Sequence, residues 1–435
     1  MLLNDFKLQL DDIFLNSEYS IFLKKNWIYR NKCNVLDFEY KKIKFAFDFE
    51  VKKDGKLLIY LVDRNSCINF FVSKKNSKKE LIKEFSHDSL KETILENLLI
   101  IKDIIDIEFL FDISIIIPTY NREKLILKCI ESINYQTLKR DNFEVIFVDD
   151  CSTDSTVDVI RKNINKDINF KIIERSVGSG NASSPRNDGF KLSKSRYVFY
   201  IDSDDFIDRD CLKNGLDLAD KNQSEIVLFK IGTNSENPRG IPKRAFKKGT
   251  IDKGTIIKNN LMRANYIFKF FSRSVLLKNN ILFDPAITVS EDRLYNVQFL
   301  SRAVKASILA DKDYIILIKH DEDHLHSRPR DLNAQLNLFL TGFIWIFTSN
   351  LDKQHCEELF NAWYIIVLES IISVLKSKKI KETEKLNFFN NACIFVNNHK
   401  YTLKEEYFYN HLKEYTNLLI NKDYTGIFNL IERGS

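Results

Sequence analysis

Glycine and proline are scarce in this chain, with 12 and 6 among 435 residues. This scarcity excludes a collagen-like sequence and a long Pro/Gly-rich disordered linker, and no internal repeat is evident. Long hydrophobic runs are also missing, because no uncharged stretch reaches the roughly 18 apolar residues that a membrane-spanning helix needs. The N-terminal sequence MLLNDFKLQLDD lacks the basic start and apolar core of a signal peptide, so we expect a cytoplasmic protein without a transmembrane segment.

Paired cysteines and an excess of one charge are absent as well. Seven cysteines form no CxxC pair and leave an odd one, which argues against a zinc site or a complete disulfide framework and favours reduced thiols. The 66 basic and 60 acidic residues give a formal net charge of +6 and are spread along the chain. We therefore expect no nucleic-acid partner.

The chain is too long for one ordinary core and is predicted to form three modules. Residues 1–110 are expected to be an N-terminal α+β accessory module, with strands at Lys44 to Val51 and Lys56 to Val62 in a hairpin and a helix from Lys78 to Ile105. Residues 331–435 lack strand signals and predict a C-terminal all-α module. Packing on the middle module is the default role for its aromatic helices, and dimer formation or guidance of a polymer are the alternatives.

Residues 111–330 alternate apolar strands with amphipathic helices. Strands are predicted at 113–117, 143–149, 169–174, 196–201 and 225–231. Strands that alternate with helices predict an α/β fold with a mostly parallel, doubly wound sheet. In such sheets ligands bind at the carboxyl ends of the strands.

The strongest motif in the middle module is Asp202 to Asp205, directly after the apolar run RYVFYI. Three carboxylates close together repel one another unless a cation is present. A hard divalent ion takes a few such oxygens and completes its shell with phosphates and water. Helix capping would explain one acid and not three, so the motif predicts a metal that holds a phosphate.

Two further strand ends carry polar turns. In Pro118 to Asn121, Asn121 is predicted to cap a helix that begins at Arg122, and an ordinary strand-to-helix turn is the alternative. Asp149 to Asp154 offers carboxylates that suit the donors of a base or a ribose, and here the alternative is a helix cap by Ser152 or Thr153.

The segment Ser176 to Ser184, SVGSGNASS, is a small-residue loop that leads into Pro185, Arg186 and Asn187. We expect Pro185 at the first helical position and free N–H groups at the helix start that favour an anion. A flexible loop without a ligand is the alternative.

Two later segments add charged side chains. Glu291 and Asp292 in TVSEDR are either an acidic first helical turn capped by Ser290 or a site that includes a general base. Lys319 to Arg330, KHDEDHLHSRPR, has histidines with poor spacing for a transition metal and better fits a cationic loop that closes over a diphosphate.

Taken in order, PTYN, VDDCSTDST, SPRNDG, YIDSDD and SED closely resemble the family 2 inverting glycosyltransferases of GT-A fold, from about Ile113 to Ser327. Several pieces look most like the enzymes that add β-linked N-acetylglucosamine to poly(ribitol phosphate) wall teichoic acid, and related capsule and glycoprotein transferases share most of the pattern. The resemblance implies transfer of GlcNAc, glucose or galactose from a UDP-sugar to a glycan, teichoic acid or glycoprotein. Independently of the resemblance, peripheral contact at the inner face of the membrane and a homo-oligomer are left open.

The resemblance also implies a role for individual residues. Asp292 would be the catalytic base, and Asp204 with Asp202 would hold Mn²⁺ or Mg²⁺. Nucleotide or donor binding would involve Pro118, Tyr120, Asn121, Asp150, Arg186, Asn187, Asp202, Ser203, Glu291, His324 and Ser327. One departure is His320, which stands where the teichoic acid enzymes have an arginine.

Two other functions compete with this interpretation. Phosphatases of the haloacid dehalogenase type also place DxD after an apolar strand, but Phe206 stands where they have Thr or Val. A non-catalytic sugar-binding scaffold with a degenerate transferase fold is the second alternative, and the intact acidic residues argue against it.

Overall fold

A computed structural model describes residues 110–233, 241, 243–287, 290–318, 331–399, 404 and 410–433, together with the backbone of five N-terminal strands. These residues belong to two compact units. The first comprises Met1–Asp112, Lys194–Tyr197 and Arg273–Asn280, and the second comprises Ile113–Ser193, Val198–Ser272 and Ile281–Ser435.

The N-terminal strands form one antiparallel sheet in the order β1-β2-β3-β4-β5. They are β1 (Asn26–Arg30), β2 (Cys33–Tyr40), β3 (Ile43–Val51), β4 (Leu57–Asp63) and β5 (Lys79–Phe85). The predicted hairpin is confirmed, because β3 pairs with β4. The predicted helix from Lys78 is wrong over β5, where pairing with β4 overrides the helical spacing of the apolar residues. The rest of that predicted helix lies outside the described residues.

The remaining elements follow in chain order. They are β6 (Phe111–Thr119), α1 (Ile126–Asn134), β7 (Phe143–Asp149), α2 (Thr156–Asn163), β8 (Asn169–Glu174), α3 (Ser183–Leu192), β9 (Ser195–Tyr200), β10 (Phe206–Ile207), α4 (Cys211–Asn222), β11 (Ile226–Phe229), β12 (Ile231–Thr233), α5 (Lys243–Phe246), β13 (Ile251–Gly254), β14 (Lys269–Ser272), α6 (Arg273–Lys278), α7 (Glu291–Leu300), β15 (Ala306–Leu309), β16 (Ile315–Leu317), α8 (Leu332–Phe347), α9 (Lys353–Lys376), α10 (Glu382–His399), α11 (Asn410–Ile420) and α12 (Tyr424–Arg433).

Eight of these strands form the central sheet, in the order β13-β15-β11-β14-β9-β6-β7-β8. The pairs β6–β7, β7–β8 and β11–β15 are parallel, whereas β11–β14 and β13–β15 are antiparallel. Every residue of β7 is buried, as expected for a strand whose two faces are both covered. The predicted mostly parallel α/β sheet is confirmed, and the ends of β6, β7 and β9 bring their polar turns to one edge.

The predicted strand at 225–231 is divided between two sheets. Lys230 interrupts it by donating its N–H to the Leu309 carbonyl and accepting from the N–H of Tyr314 through its own carbonyl. As a result β11 joins the central sheet, while β12 joins β16 and β10 in a three-stranded sheet. Strand β10 directly follows the Asp202 turn in the sequence.

The C-terminal helices α8 to α12 belong to the same compact unit as most of the central sheet, and the predicted boundary at 330/331 stays a prediction. Among the described residues, α9 is the one helix long and apolar enough to cross a membrane, yet 83% of its apolar window is buried within the protein. It therefore behaves as a core helix. It also supports α7, because Arg293 donates to the Ser370 hydroxyl at 2.7 Å.

Candidate active site

The ends of β6 and β7 are joined by a polar network around Asp149. Its carboxylate accepts hydrogen bonds from the Thr119 hydroxyl at 2.9 Å and from both the N–H and the hydroxyl of Ser152. Asp149 is 3% exposed, and its hydrogen bonds fix the two turns against each other.

The helix caps predicted in these turns are wrong. Asn121 has a left-handed backbone (φ 49°), and its side-chain oxygen accepts from the N–H of Thr153 rather than from a helical amide. Helix α1 begins only at Ile126. Ser152 accepts from the Asn121 N–H, and neither it nor Thr153 caps α2, where Asp154 accepts from the Thr156 N–H. The two turns therefore bind each other, which no single segment of sequence reveals.

Asp150 holds the glycine-bearing loop. Its buried carboxylate forms an ion pair with Arg175 and accepts from the N–H and hydroxyl of Ser179 and from the N–H of Gly180, at 2.9 to 3.1 Å. Gly180 has a left-handed backbone (φ 70°), which favours glycine. A Cβ atom at Gly178 would lie 3.2 Å from the Asp150 carbonyl oxygen. The role of Asp150 in nucleotide binding stays a prediction; in this structure it shapes the loop.

The expected anion site at the start of α3 is not present. The side-chain oxygen of Asn181 accepts from the N–H groups of Ser183 and Ser184, at 2.9 and 3.2 Å. Pro185 has no N–H and lies at the third helical position instead of the first. Arg186 donates its N–H to the Ala182 carbonyl. The first turn of α3 thus has no free amide for an anion.

Arg186 joins three carboxylates from distant parts of the chain. Its guanidinium donates to Asp202 at 2.8 Å, to Asp292 at 3.0 Å and to Glu291 at 3.1 Å. The side chain is 3% exposed and lies over the Phe283 ring, with 5.1 Å between the guanidinium carbon and the ring centroid. Burial opposes its charge, but Asp292, Asp202 and Glu291 raise the pKa of Arg186 above its usual range. It orients the acids of the site.

Asn187 is occupied by the backbone of Phe283. Its amide donates to the Phe283 carbonyl at 2.8 Å and accepts from the Phe283 N–H at 2.9 Å. Asn187 therefore attaches α3 to the segment before α7. Its predicted contact with a nucleotide stays untested.

The turn after β9 gathers the three predicted carboxylates. Asp202 and Asp204 are half-buried and Ser203 is buried. Burial, followed by the charges of Asp204 and Asp202, raises the pKa of Asp205 to about 9. Asp205 also accepts from the Ile318 N–H at 3.0 Å, at the entrance to residues 319–330. The turn thus concentrates negative charge, although the described residues hold no group of three His, Cys, Asp or Glu side chains arranged around a metal.

Glu291 and Asp292 begin α7 beside Arg186. Ser290 stands at the N-cap position, but it has a left-handed backbone (φ 70°) and makes no side-chain cap bond. The Asp292 side chain is 26% exposed. Its pKa is raised to about 7, chiefly by burial; the cation Arg186 opposes the rise, Glu291 and Asp202 add to it, and Lys269 opposes it. A raised pKa of this kind is compatible with a general base, a role of Asp292 that stays a prediction.

Two residues of this site were missed from the sequence. Lys269 is buried in β14 and donates to the side-chain oxygen of Asn296, which lies one helical turn after Asp292. Asn296 in turn donates to the Asp292 carbonyl at 2.7 Å. The signal was a lysine inside the apolar run YIFKFFS, since a buried lysine requires partners.

The other predicted site residues are only partly described. Pro118 is half-buried at the end of β6, and Tyr120 beyond it is 53% exposed. Their contacts with a base stay predictions. His324, Ser327 and the departing His320 lie outside the described residues.

The sequence of the central sheet region matches a known protein family. Residues 114–280 match the sequence model of the family described as glycosyl transferase family 2. This part of the chain is a glycosyltransferase family 2 domain. The domain places its acidic turns at the carboxyl edge of the sheet, in the order that the motifs predicted.

Curated relatives of the glycosyltransferase domain act on poly(ribitol-phosphate) according to their names. The chain is 32% identical over 292 residues to poly(ribitol-phosphate) beta-glucosyltransferase of Bacillus spizizenii, covering 66% of this chain and 40% of that protein. It is 36% identical over 216 residues to the poly(ribitol-phosphate) beta-N-acetylglucosaminyltransferase TarP of Staphylococcus aureus, covering 49% of this chain and 65% of TarP. The chain thus spans less than two thirds of these relatives.

A solved structure supports the fold of the glycosyltransferase domain. Staphylococcus aureus TarS 1–349 in complex with UDP-GlcNAc aligns with a TM-score of 0.64 and 26% identity, over 74% of this chain and 91% of that structure. The predicted GT-A fold is confirmed. Together with the family match, this likeness favours a glycosyltransferase over the phosphatase and the scaffold.

Proposed function

We propose that the protein is an inverting glycosyltransferase that moves a sugar from a UDP-sugar to a hydroxyl group of a bacterial teichoic acid. The observation that carries the proposal is the position of Asp292, which Arg186 holds together with Asp202 at the ligand-binding edge of the sheet. The relatives named for poly(ribitol-phosphate) and the UDP-GlcNAc complex of TarS support a polyol phosphate acceptor and a UDP-linked donor. Such a donor would place the reaction in the cytoplasm.

In the proposed reaction Asp292 removes the proton from the acceptor hydroxyl. The hydroxyl oxygen bonds to the anomeric carbon while the bond from that carbon to the diphosphate oxygen breaks on the opposite face, so the configuration inverts. A carboxyl with a pKa of about 7 suits this role, because about half of it is ionised at pH 7 and it is still basic enough to accept a proton.

The residues of the Asp202 turn fit a divalent cation. Asp202 and Asp204 offer hard carboxylate oxygens, and their charges add to burial in raising the pKa of Asp205 beside them. A partial protein shell of this kind is completed by phosphate and water oxygens. Bound Mn²⁺ or Mg²⁺ would neutralise charge on the departing diphosphate. Arg186 meanwhile holds Asp202 in place through its 2.8 Å bond.

The test of the base is Asp292→Asn. With poly(ribitol phosphate) as acceptor and a panel of UDP-GlcNAc, UDP-glucose and UDP-galactose as donors, we expect turnover to fall about 10²- to 10⁴-fold while UDP affinity stays near normal. Asp158→Asn is the matched control, because that carboxylate is 83% exposed on α2 and should leave turnover unchanged. Parental turnover in Asp292→Asn would remove Asp292 from the role, and no transfer or hydrolysis of any donor by the parent would overturn the proposed function.

The test of the cation site is Asp204→Asn. We expect weaker UDP binding in the presence of Mn²⁺, measured by calorimetry, and little change in its absence. Equal affinity with Mn²⁺ for the variant and the parent would contradict the assignment. Asp158→Asn again controls for the loss of one carboxylate elsewhere.

A further inference from the structure

Lys269 is a buried cation with no direct place in the proposed reaction. It is 3% exposed in β14, where Phe268 and Phe270 beside it in the sequence are equally buried. A lysine in such surroundings costs free energy unless its ammonium group is compensated. The hydrogen-bond acceptors of the ammonium group therefore indicate which part of the protein Lys269 stabilises.

The Lys269 ammonium has three acceptors, one for each N–H. They are the carbonyls of Ala264 and Tyr266 and the side-chain oxygen of Asn296, each at 2.5 Å. A neutral amine would leave one acceptor facing a lone pair, so this geometry favours the ammonium form. Burial acts in the opposite direction and lowers the pKa of Lys269 to about 7.

Asn296 connects Lys269 with the first turn of α7. It is 2% exposed, and its amide donates to the Asp292 carbonyl at 2.7 Å and to the carbonyls of Asn265 and Tyr266 at 3.3 Å. With its oxygen bound to Lys269, the Asn296 amide can present its donors in only one orientation. Lys269 thus fixes the first turn of α7, on which Asp292 stands.

The charges around Asp292 come from four elements. Arg186 on α3 and Lys269 on β14 are the cations, and Asp202 after β9 and Glu291 on α7 are the anions. Tyr266 is a further titratable group near the site, and burial followed by the charges of Asp205 and Asp292 raises its pKa. Lys269 is therefore one of two positive charges that favour the ionised form of Asp292.

We propose that Lys269 is a positioning residue for the transferase reaction, which orients Asn296 and the start of α7 and places a positive charge behind the Asp292 carboxylate. This inference rests on the proposed role of Asp292 as base. Lys269 contacts neither donor nor acceptor in this scheme. Its loss should therefore change turnover and its pH dependence and leave donor binding intact.

The main test is Lys269→Met, which keeps an unbranched side chain, one atom shorter, and removes the charge. We expect turnover at pH 7 to fall about tenfold, the KM for the UDP-sugar to stay within about twofold, and the acidic limb of the pH–turnover profile to move up by about one pH unit. Lys269→Gln keeps a donor for Asn296 without the charge. It should regain most of the turnover at high pH and keep the shifted limb.

A second variant leaves Lys269 in place. Asn296→Asp puts a carboxylate against the ammonium, neutralises its charge and should move the acidic limb in the same direction. If Lys269→Met does not fold, Lys269→Gln decides the question, because the new carboxylate of Asn296→Asp also acts on Asp292 directly. An unmoved limb in all folded variants, or an equal loss of turnover at every pH, would overturn the inference.

The failures of the two proposals are distinguishable. If Asp292→Asn keeps its turnover, the assignment of the base falls and the inference falls with it. If Asp292→Asn loses turnover while the limb stays unmoved in Lys269→Met and Asn296→Asp, the inference alone falls.

Discussion

Arg186 donates a hydrogen bond of 3.0 Å to Asp292, which lies 106 positions later in the chain. The same guanidinium binds Asp202 at 2.8 Å, so one buried cation connects the proposed base with the proposed metal turn. These two acids carry different parts of the proposed reaction. Their common partner makes the geometry of one depend on the other.

Replacing Arg186 should therefore affect both turnover and stability. Arg186→Met leaves Asp202, Glu291 and Asp292 without their shared cation, and breaking a buried ion pair of this kind costs about 3 kcal/mol of unfolding free energy. Because the cation favours the ionised base, we also expect the acidic limb of the turnover profile to move to higher pH. Denaturant unfolding and a pH–rate profile measure the two effects.

The control for this prediction is Arg161→Met. Arg161 also has two acidic partners, Glu174 and Asp158, but its side chain is 54% exposed on α2. Exposed pairs contribute little, so this variant should stay near the parent in both measurements. Equal stability of the two variants would contradict the buried role of Arg186.

The pKa of Asp292 predicts the pH dependence of the parent enzyme. Since the ionised carboxylate is the base, kcat/KM should rise with pH up to about 7 and then level off. A profile that is flat between about pH 5 and 8 would exclude a base that titrates with this pKa.

The same pKa predicts an opposite trend in stability. The pKa of Asp292 is higher in the folded protein than its ordinary value, so the folded state binds the proton more tightly. Protonated Asp292 therefore stabilises the folded state fully below the pKa that this group has in the unfolded chain. This stabilisation is lost as the pH rises through about 7. Asp292→Asn should therefore unfold at a higher temperature than the parent at pH 8, and a lower unfolding temperature there would contradict the prediction.

Asp150→Asn should loosen the glycine-bearing loop. The amide cannot form the ion pair with Arg175, and its NH₂ group would face donors of Ser179 and Gly180. We expect a loss of about 2 kcal/mol in unfolding free energy and weaker UDP binding by calorimetry. Asp188→Asn is the control, because Asp188 also binds Arg175 but makes no hydrogen bond with the loop. Equal UDP affinity of Asp150→Asn and Asp188→Asn would show that this loop does not contribute to donor binding.

Gly189→Ala should disturb the packing of α3 against the sheet. An added Cβ would lie 2.5 Å from Ile116 and 3.3 Å from Val148, on β6 and β7. Overpacking of this kind costs about 1–3 kcal/mol, measured by thermal or denaturant unfolding. At Gly254 the nearest atom would be 3.4 Å away, so Gly254→Ala is the matched control. Equal stability of the two variants would show that α3 can move away from the sheet.

Local patterns predicted the strands well and the caps badly. The run FEVIFVD is a buried strand because its composition suits burial on both faces, and that property does not depend on distant residues. Asn121, Ser152 and Thr153 have short polar side chains that suit a cap equally well in either turn. They bind across the two turns instead, because β6 and β7 are paired in parallel and end at the same edge.

The sequence by itself determined the α/β fold and the order of the acidic turns, since both follow from periodicity and motifs within short segments. Only the tertiary structure decided that Arg186 holds Asp202 and Asp292, that Asn181 occupies the amides at the start of α3, and that Lys269 binds Asn296 on the helix of the proposed base. These contacts depend on which strands are neighbours in the sheet, and the partner of a buried charge is set by that neighbourhood rather than by its own segment.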